Sequence, residues 1–152
     1  MPGLTKAQVD EFLAGPVIAR LATVQPSGAP YLVPVWQYWD RASMFIIPRA
    51  KSRFVAFLKK EPRVAVSCAD DLHPEHSRVL IEGAAEVVEG PALMHGRMLE
   101  IAREMAERYG GADGLTYLEG TMNEPRYLLR VSPRKITSWT GGWKSRYRTA
   151  RS

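Results

Sequence analysis

Three strand-like runs follow one another between Val17 and Ile47 with almost no chain between them, and this spacing constrains the fold more than any other feature. Val17 to Val24 is rich in Val, Ile and Leu. Tyr31 to Trp39 is dense in aromatic and β-branched residues, and Met44 to Ile47 completes the set. Gln25-Pro26-Ser27-Gly28 carries the Pro and Gly of a tight turn, and Asp40-Arg41-Ala42-Ser43 reads as a hairpin connection. Neither is long enough for a helical crossover, so the strands are expected to be antiparallel. Pro34 removes an N–H from the second run, which predicts an unpaired or bulged edge there.

Helices and further strands surround this set. Leu4 to Ala14 predicts a helix with Thr5 as N-cap, an apolar stripe of Leu4, Val9, Phe12 and Leu13, and a stop at Gly15-Pro16. Ala50 to Lys60 predicts a second helix, with Phe54, Phe57 and Leu58 on one face and Lys59 and Lys60 near its end. Val64 to Ala69 and Arg78 to Val88 read as strands, the latter bent or bulged at Gly83. Pro91 is expected to open the longest helix, which Gly110-Gly111 stops near Tyr109. Asp113 to Gly120 has the pattern of a short helical turn, and Tyr127 to Trp139 that of a last strand broken near Ser132-Pro133. About six strands with few helices in a small domain favour a closed or nearly closed barrel.

Composition sets the class. The chain has 152 residues and is 45% hydrophobic, which suits a single globular domain spanning 1–152. Residues 141–152 form a basic, aromatic C-terminal tail on it. Cys68 is the one cysteine, so no internal disulfide forms. No apolar run reaches the roughly 20 residues of a membrane helix, and the first ten residues lack a signal core, so a cytoplasmic location is expected. The net charge of +5 calls for an anionic partner.

Three stretches, in this order and spacing, carry a family resemblance. They are Ile18 to Val24 with Ser27-Gly28-Ala29-Pro30 and Val33-Pro34-Val35; Pro48-Arg49-Ala50-Lys51-Ser52-Arg53 leading to Glu61-Pro62-Arg63-Val64; and Val79 to Val87. The chain thereby resembles the pyridoxamine 5′-phosphate oxidase-like proteins, also called flavin/deazaflavin oxidoreductases. The resemblance implies a mainly β fold with α, a six-stranded antiparallel split β-barrel with flanking helices. It also implies a homodimer with two cofactor sites at the interface. The Pro48 to Arg53 wording is most similar to the branch that uses coenzyme F420, with FMN as the alternative cofactor.

A phosphate on a ribityl chain is common to both cofactors, and it needs fixed cations and N–H donors. Arg49, Lys51, Ser52 and Arg53 stand where a strand becomes a helix. Arg49 and Lys51 match the family's phosphate-binding positions, while Arg53 either helps or faces solvent. Val33, Pro34, Val35 and Trp36 match the strand beside the cofactor ring; Trp36 either stacks on the ring or packs in the sheet. Ile47 is a wall residue. In the tail, Trp143 is expected to cover the pocket and Lys144, Arg146 or Arg148 to meet an anion, against the alternative of a disordered basic end.

The expected activity is hydride transfer between F420 and a small conjugated organic substrate, with the protein positioning both. No catalytic acid is assigned; Tyr31, Tyr38 and Arg78 are the candidate proton donors or substrate anchors. His73-Pro74-Glu75-His76, with Asp70 and Asp71, has metal-ligand residue types, but Pro74 breaks a helical spacing and no third His or Cys is well placed, so a solvated loop is expected. Cys68 is expected to be a buried, inert thiol. The competing class is a non-catalytic protein that carries a cofactor or meets nucleic acid through its tail. Neither nucleic acid nor a membrane is the expected partner.

Overall fold

The structure is a computed structural model that describes residues 3–73 and 75–141. Helix α1 spans Lys6–Ala14. The Thr5 hydroxyl accepts the Gln8 N–H at 3.2 Å while the Gln8 side chain accepts the Thr5 N–H at 2.9 Å. This reciprocal cap fixes the start of the helix. Val9 and Leu13 are its buried residues, and Gly15 ends it.

Strands β1 (Ala19–Val24) and β2 (Pro30–Val35) pair antiparallel around the expected turn, where Gly28 adopts φ 87°. Then follow β3 (Tyr38–Trp39), β4 (Met44–Ile46), α2 (Arg53–Lys60), β5 (Arg63–Ala69), β6 (Arg78–Ala92), α3 (Gly96–Gly120) and β7 (Arg126–Trp139). The strands form one antiparallel sheet in the order β2-β1-β5-β6-β7-β4-β3.

Seven strands are present rather than six. The single run expected over Tyr31 to Trp39 divides at Trp36-Gln37 into β2 and β3. Gln37 causes the break. Its buried side chain donates to the Leu13 carbonyl at 2.8 Å, and its backbone N–H donates to the Tyr109 hydroxyl at 3.2 Å. Both bonds take the chain out of the ladder. The two halves lie at opposite edges of the strand order, so the sheet curls until its ends meet at this two-residue corner. The ladder does not close, which fits a split barrel.

The other departures concern glycine and proline. Pro91 opens no helix: β6 runs on through a cis Gly90-Pro91 bond to Ala92, and α3 starts at Gly96. Gly110-Gly111 does not stop α3. The helix kinks at Gly111 (φ 56°, ψ −137°) and continues, so Asp113 to Gly120 is its second limb. Gly114 lets the limbs touch, since a Cβ there would stand 2.0 Å from the Ala106 carbonyl oxygen. β7 is unbroken at Ser132-Pro133. Its register skips Arg134 opposite Gly83, where a Cβ would lie 2.2 Å from the Ser132 oxygen. The bulge foreseen at Gly83 is thus real. α2 begins at Arg53 rather than Ala50, because Ser52 donates its N–H back to the Arg49 carbonyl at 2.9 Å and makes a turn first.

Two apolar clusters fill the molecule. The first lies inside the barrel and includes Leu13, Leu21, Phe54, Leu58, Val66, Cys68, Val79, Ile81 and Val131. Burial pushes the Cys68 thiol up to about 12, so it stays protonated and unreactive. The second lies between β4, β7 and α3 and includes Phe45, Ile47, Met94, Met98, Ile101, Met105, Leu118 and Leu128. Among the described residues no helix is long and apolar enough to cross a membrane.

Candidate cofactor site

The corner that splits the sheet also opens a cleft. Pro34, Val35 and Trp36 leave β2 on one side, and Ile46, Ile47 and Pro48 leave β4 on the other. Ala102, Met105, Tyr117 and Leu118 of α3 roof it, and Arg126 of β7 completes the lining around about 410 Å³. Walls of this kind, mostly apolar with few polar groups, suit a flat ring system. Trp36 stacks on Tyr109, with centroids 5.1 Å apart and 6° between planes, and meets Tyr117 edge-on at 6.0 Å. These two tyrosines stand on either side of the Gly111 kink. The Tyr109 hydroxyl donates to the Val17 carbonyl at 2.6 Å. Burial pushes its phenol pKa up, and the N–H bond from Gln37 partly offsets this.

The cationic turn adjoins the cleft. Arg49 directly follows the lining residue Pro48, and its Nη2 donates to the Tyr117 hydroxyl at 2.8 Å. Its Nε lies 3.0 Å from Glu124, and the Lys51 ammonium lies 3.7 Å from the same carboxylate. Glu124 therefore holds the two cations together and cancels part of their charge. Ser52 is the N-cap of α2, yet its side chain makes no capping bond. The first N–H groups of α2 thus have no side-chain acceptor, which is the arrangement that binds anions at a helix start. Arg53 points elsewhere, over the rings of Tyr31 at 5.5 Å and Phe57 at 5.7 Å.

The expected residues are thus brought together in part. Pro34, Val35, Trp36 and Ile47 line one cleft, and Arg49, Lys51 and Ser52 form one turn beside it. Val33 does not join them, because it packs against the barrel cluster. Tyr31, Tyr38 and Arg78 are absent from the lining; they pack against Phe57, Phe45 and Trp139 respectively. Trp143, Lys144, Arg146 and Arg148 lie outside the described residues. The His73 ring closes on Asp70 at 2.5 Å, and among the described residues no group of three His, Cys, Asp or Glu can hold a metal.

Sequence reading missed Met105, Tyr117, Glu124 and Arg126. Tyr117 was hidden by placing the end of the helix at Gly110, since the second limb of α3 is what brings it over the cleft. Arg126 is 8% exposed. Its Nη1 donates to the Ile47 carbonyl at 3.1 Å and its Nη2 to the Thr121 hydroxyl at 3.0 Å, while Nε has no partner. Nothing local marks an arginine after Pro125 as buried.

Comparisons with known proteins agree with this architecture. A conserved hypothetical protein from Mycobacterium tuberculosis is 27% identical, with a TM-score of 0.74 over 93% of this chain and 88% of that one. An F420 reductase is 24% identical, with a TM-score of 0.64 over 84% of this chain and 94% of that one. The heme storage protein HutZ from Vibrio cholerae shares the fold at 19% identity, with a TM-score of 0.66 over 89% of this chain and 94% of that one. Curated proteins give no match. The family profile described as pyridoxamine 5′-phosphate oxidase matches residues 5–140, nearly the whole chain, and the protein belongs to that family.

Proposed function

We propose that this protein is an F420-dependent oxidoreductase that reduces a small conjugated organic substrate. The observation that carries this reading is the continuity of an apolar cleft with a cationic turn, joined by the Arg49–Tyr117 hydrogen bond. A ring in the cleft would have its phosphate within reach of Arg49, Lys51, Ser52 and the start of α2. Bound there, the reduced cofactor supplies a hydride, and solvent supplies the proton that completes reduction of the substrate. The chain's own part is to bind, orient and exclude water. Trp36, held by Tyr109, forms a rigid wall, and the two-limbed α3 covers the opposite side.

The net charge of +5 favours F420 over FMN, because the oligoglutamate tail of F420 adds negative charges beyond the phosphate. One observation favours FMN. Glu124 already neutralises part of the Arg49–Lys51 pair, which leaves a cluster matched to a single compact phosphate.

The site is completed in a homodimer. The outward face of the sheet carries a row of Leu32, Ala22 and Ala65 across β2, β1 and β5, with Leu32 65% exposed. Such an exposed apolar row suits a second copy of the chain. The test is a pair of fluorescence titrations, F420 against FMN, on purified protein of measured oligomeric state. Selective F420 binding by a dimer supports the reading. Selective FMN binding replaces the cofactor and keeps the oxidoreductase class. Binding of neither, with salt-sensitive nucleic-acid binding instead, overturns it.

A further inference from the structure

Arg126 is a buried cation without a counter-ion. It is 8% exposed, and among the described residues no carboxylate lies within 4.0 Å of it. Both of its acceptors are neutral: the Ile47 carbonyl and the Thr121 hydroxyl. Its Nε has no partner at all. Thr121 caps the C-terminus of α3, so the helix end offsets about half an elementary charge. The Arg126 backbone forms a bridge with that of Arg49, whose own charge is met by Glu124. Glu124, two residues away, is engaged by Arg49 and Lys51. A buried guanidinium left in this state is costly to the fold, and it lines an apolar cleft.

We propose that Arg126 is the anion-recognition group of the cleft, taking a flat group with delocalised negative charge: a carboxylate of the substrate, or the ring of the reduced cofactor. This rests on the reading of the cleft as a ligand site, and it adds the chemical class that the site selects. A guanidinium matches a planar delocalised anion through paired N–H donors, which an ammonium does not. The cofactor phosphate has its own cations at the turn, so Arg126 serves a different group. An uncharged isostere would leave the guanidinium unpaired and be rejected.

The test is calorimetric, on the full-length protein with and without oxidised F420. Cinnamate and cinnamamide are titrated as the probe pair; they share shape and differ in charge. Wild type should prefer cinnamate by about tenfold, Arg126→Gln should lose the preference, and Arg126→Lys should retain part of it. That result assigns the substrate as the source of the anion. If instead reduced F420 binds wild type more tightly than oxidised F420, and Arg126→Gln removes the difference, the anion is the cofactor ring. If wild type shows neither preference, or Arg126→Gln keeps whichever exists, the proposal is overturned. Wild type alone decides the first point, so a poorly folding variant does not rescue it. Failure of F420 to bind at all sinks the cofactor reading separately, because the probe pair is also measured without it.

Discussion

The two apolar clusters are built from different materials. The barrel cluster is dominated by Leu, Val, Ile and Phe, and its members at β1, β5 and β6 have no solvent exposure at Leu21, Val66 and Ile81. The α3 cluster contains Met94, Met98 and Met105, with Met122 packed at its edge, and it borders the 410 Å³ cleft. Stiff branched side chains fill a volume in one way, while unbranched thioethers adapt to a changing neighbour. The barrel cluster therefore sets stability, and the α3 cluster can accept a ligand without losing its packing.

The sharpest way to break this contrast is by truncation. Ile81→Ala should cost about 3–4 kcal/mol in urea unfolding and leave probe affinity in surviving folded protein unchanged. Met105→Ala should cost nearer 2 kcal/mol, because it enlarges an existing space, but should alter ligand affinity. Equal losses with equal affinity changes would abolish the distinction.

The next effect is pH-dependent and belongs to Cys68 in the barrel cluster. The Cys68 pKa is raised from 9.0 to about 12 in the folded chain. The native thiol thus keeps a proton that the unfolded chain releases. Stability from this group is complete below about pH 9 and falls as pH rises toward 12. Near pH 10.5 the loss should reach about 2 kcal/mol, and Cys68→Ala should remove that part of the pH dependence.

Smaller effects sharpen the ligand side. Arg49→Gln should weaken phosphate-bearing cofactor by about tenfold in a fluorescence titration. Glu124→Gln frees Arg49 and Lys51 from their internal anion and should tighten the same binding by about threefold. If Glu124→Gln weakens it, the carboxylate positions the cations rather than competing for them. Trp36→Phe should change affinity least, by about 0.5 kcal/mol, since a flat ring remains against Tyr109.

Local signals were legible where local forces decide. The Thr5 cap, the Gln25 to Gly28 turn, the antiparallel order and the bulge at Gly83 could all be read from residue type and spacing. Non-local forces decided the rest. Gln37 leaves the ladder because Leu13 and Tyr109 offer it partners far away in the chain. Gly110-Gly111 resembles a helix stop, yet Gly114 finds the Ala106 backbone to lie against and the helix resumes. In the site, the strand-borne wall of Pro34, Val35, Trp36 and Ile47 and the turn of Arg49 to Ser52 were visible. The Tyr117 and Leu118 part of the roof and the buried Arg126, which bonds to Thr121, were not, because both depend on that resumed limb.

The outer strand β2 carries Pro30 and Pro34, four residues apart and therefore on the same side of the pleat. Between them only Leu32 can offer an N–H in that phase. A foreign extended segment approaching this rim finds one donor where a ladder needs several. The β2 rim of the sheet is thus guarded against strand addition and fibril growth.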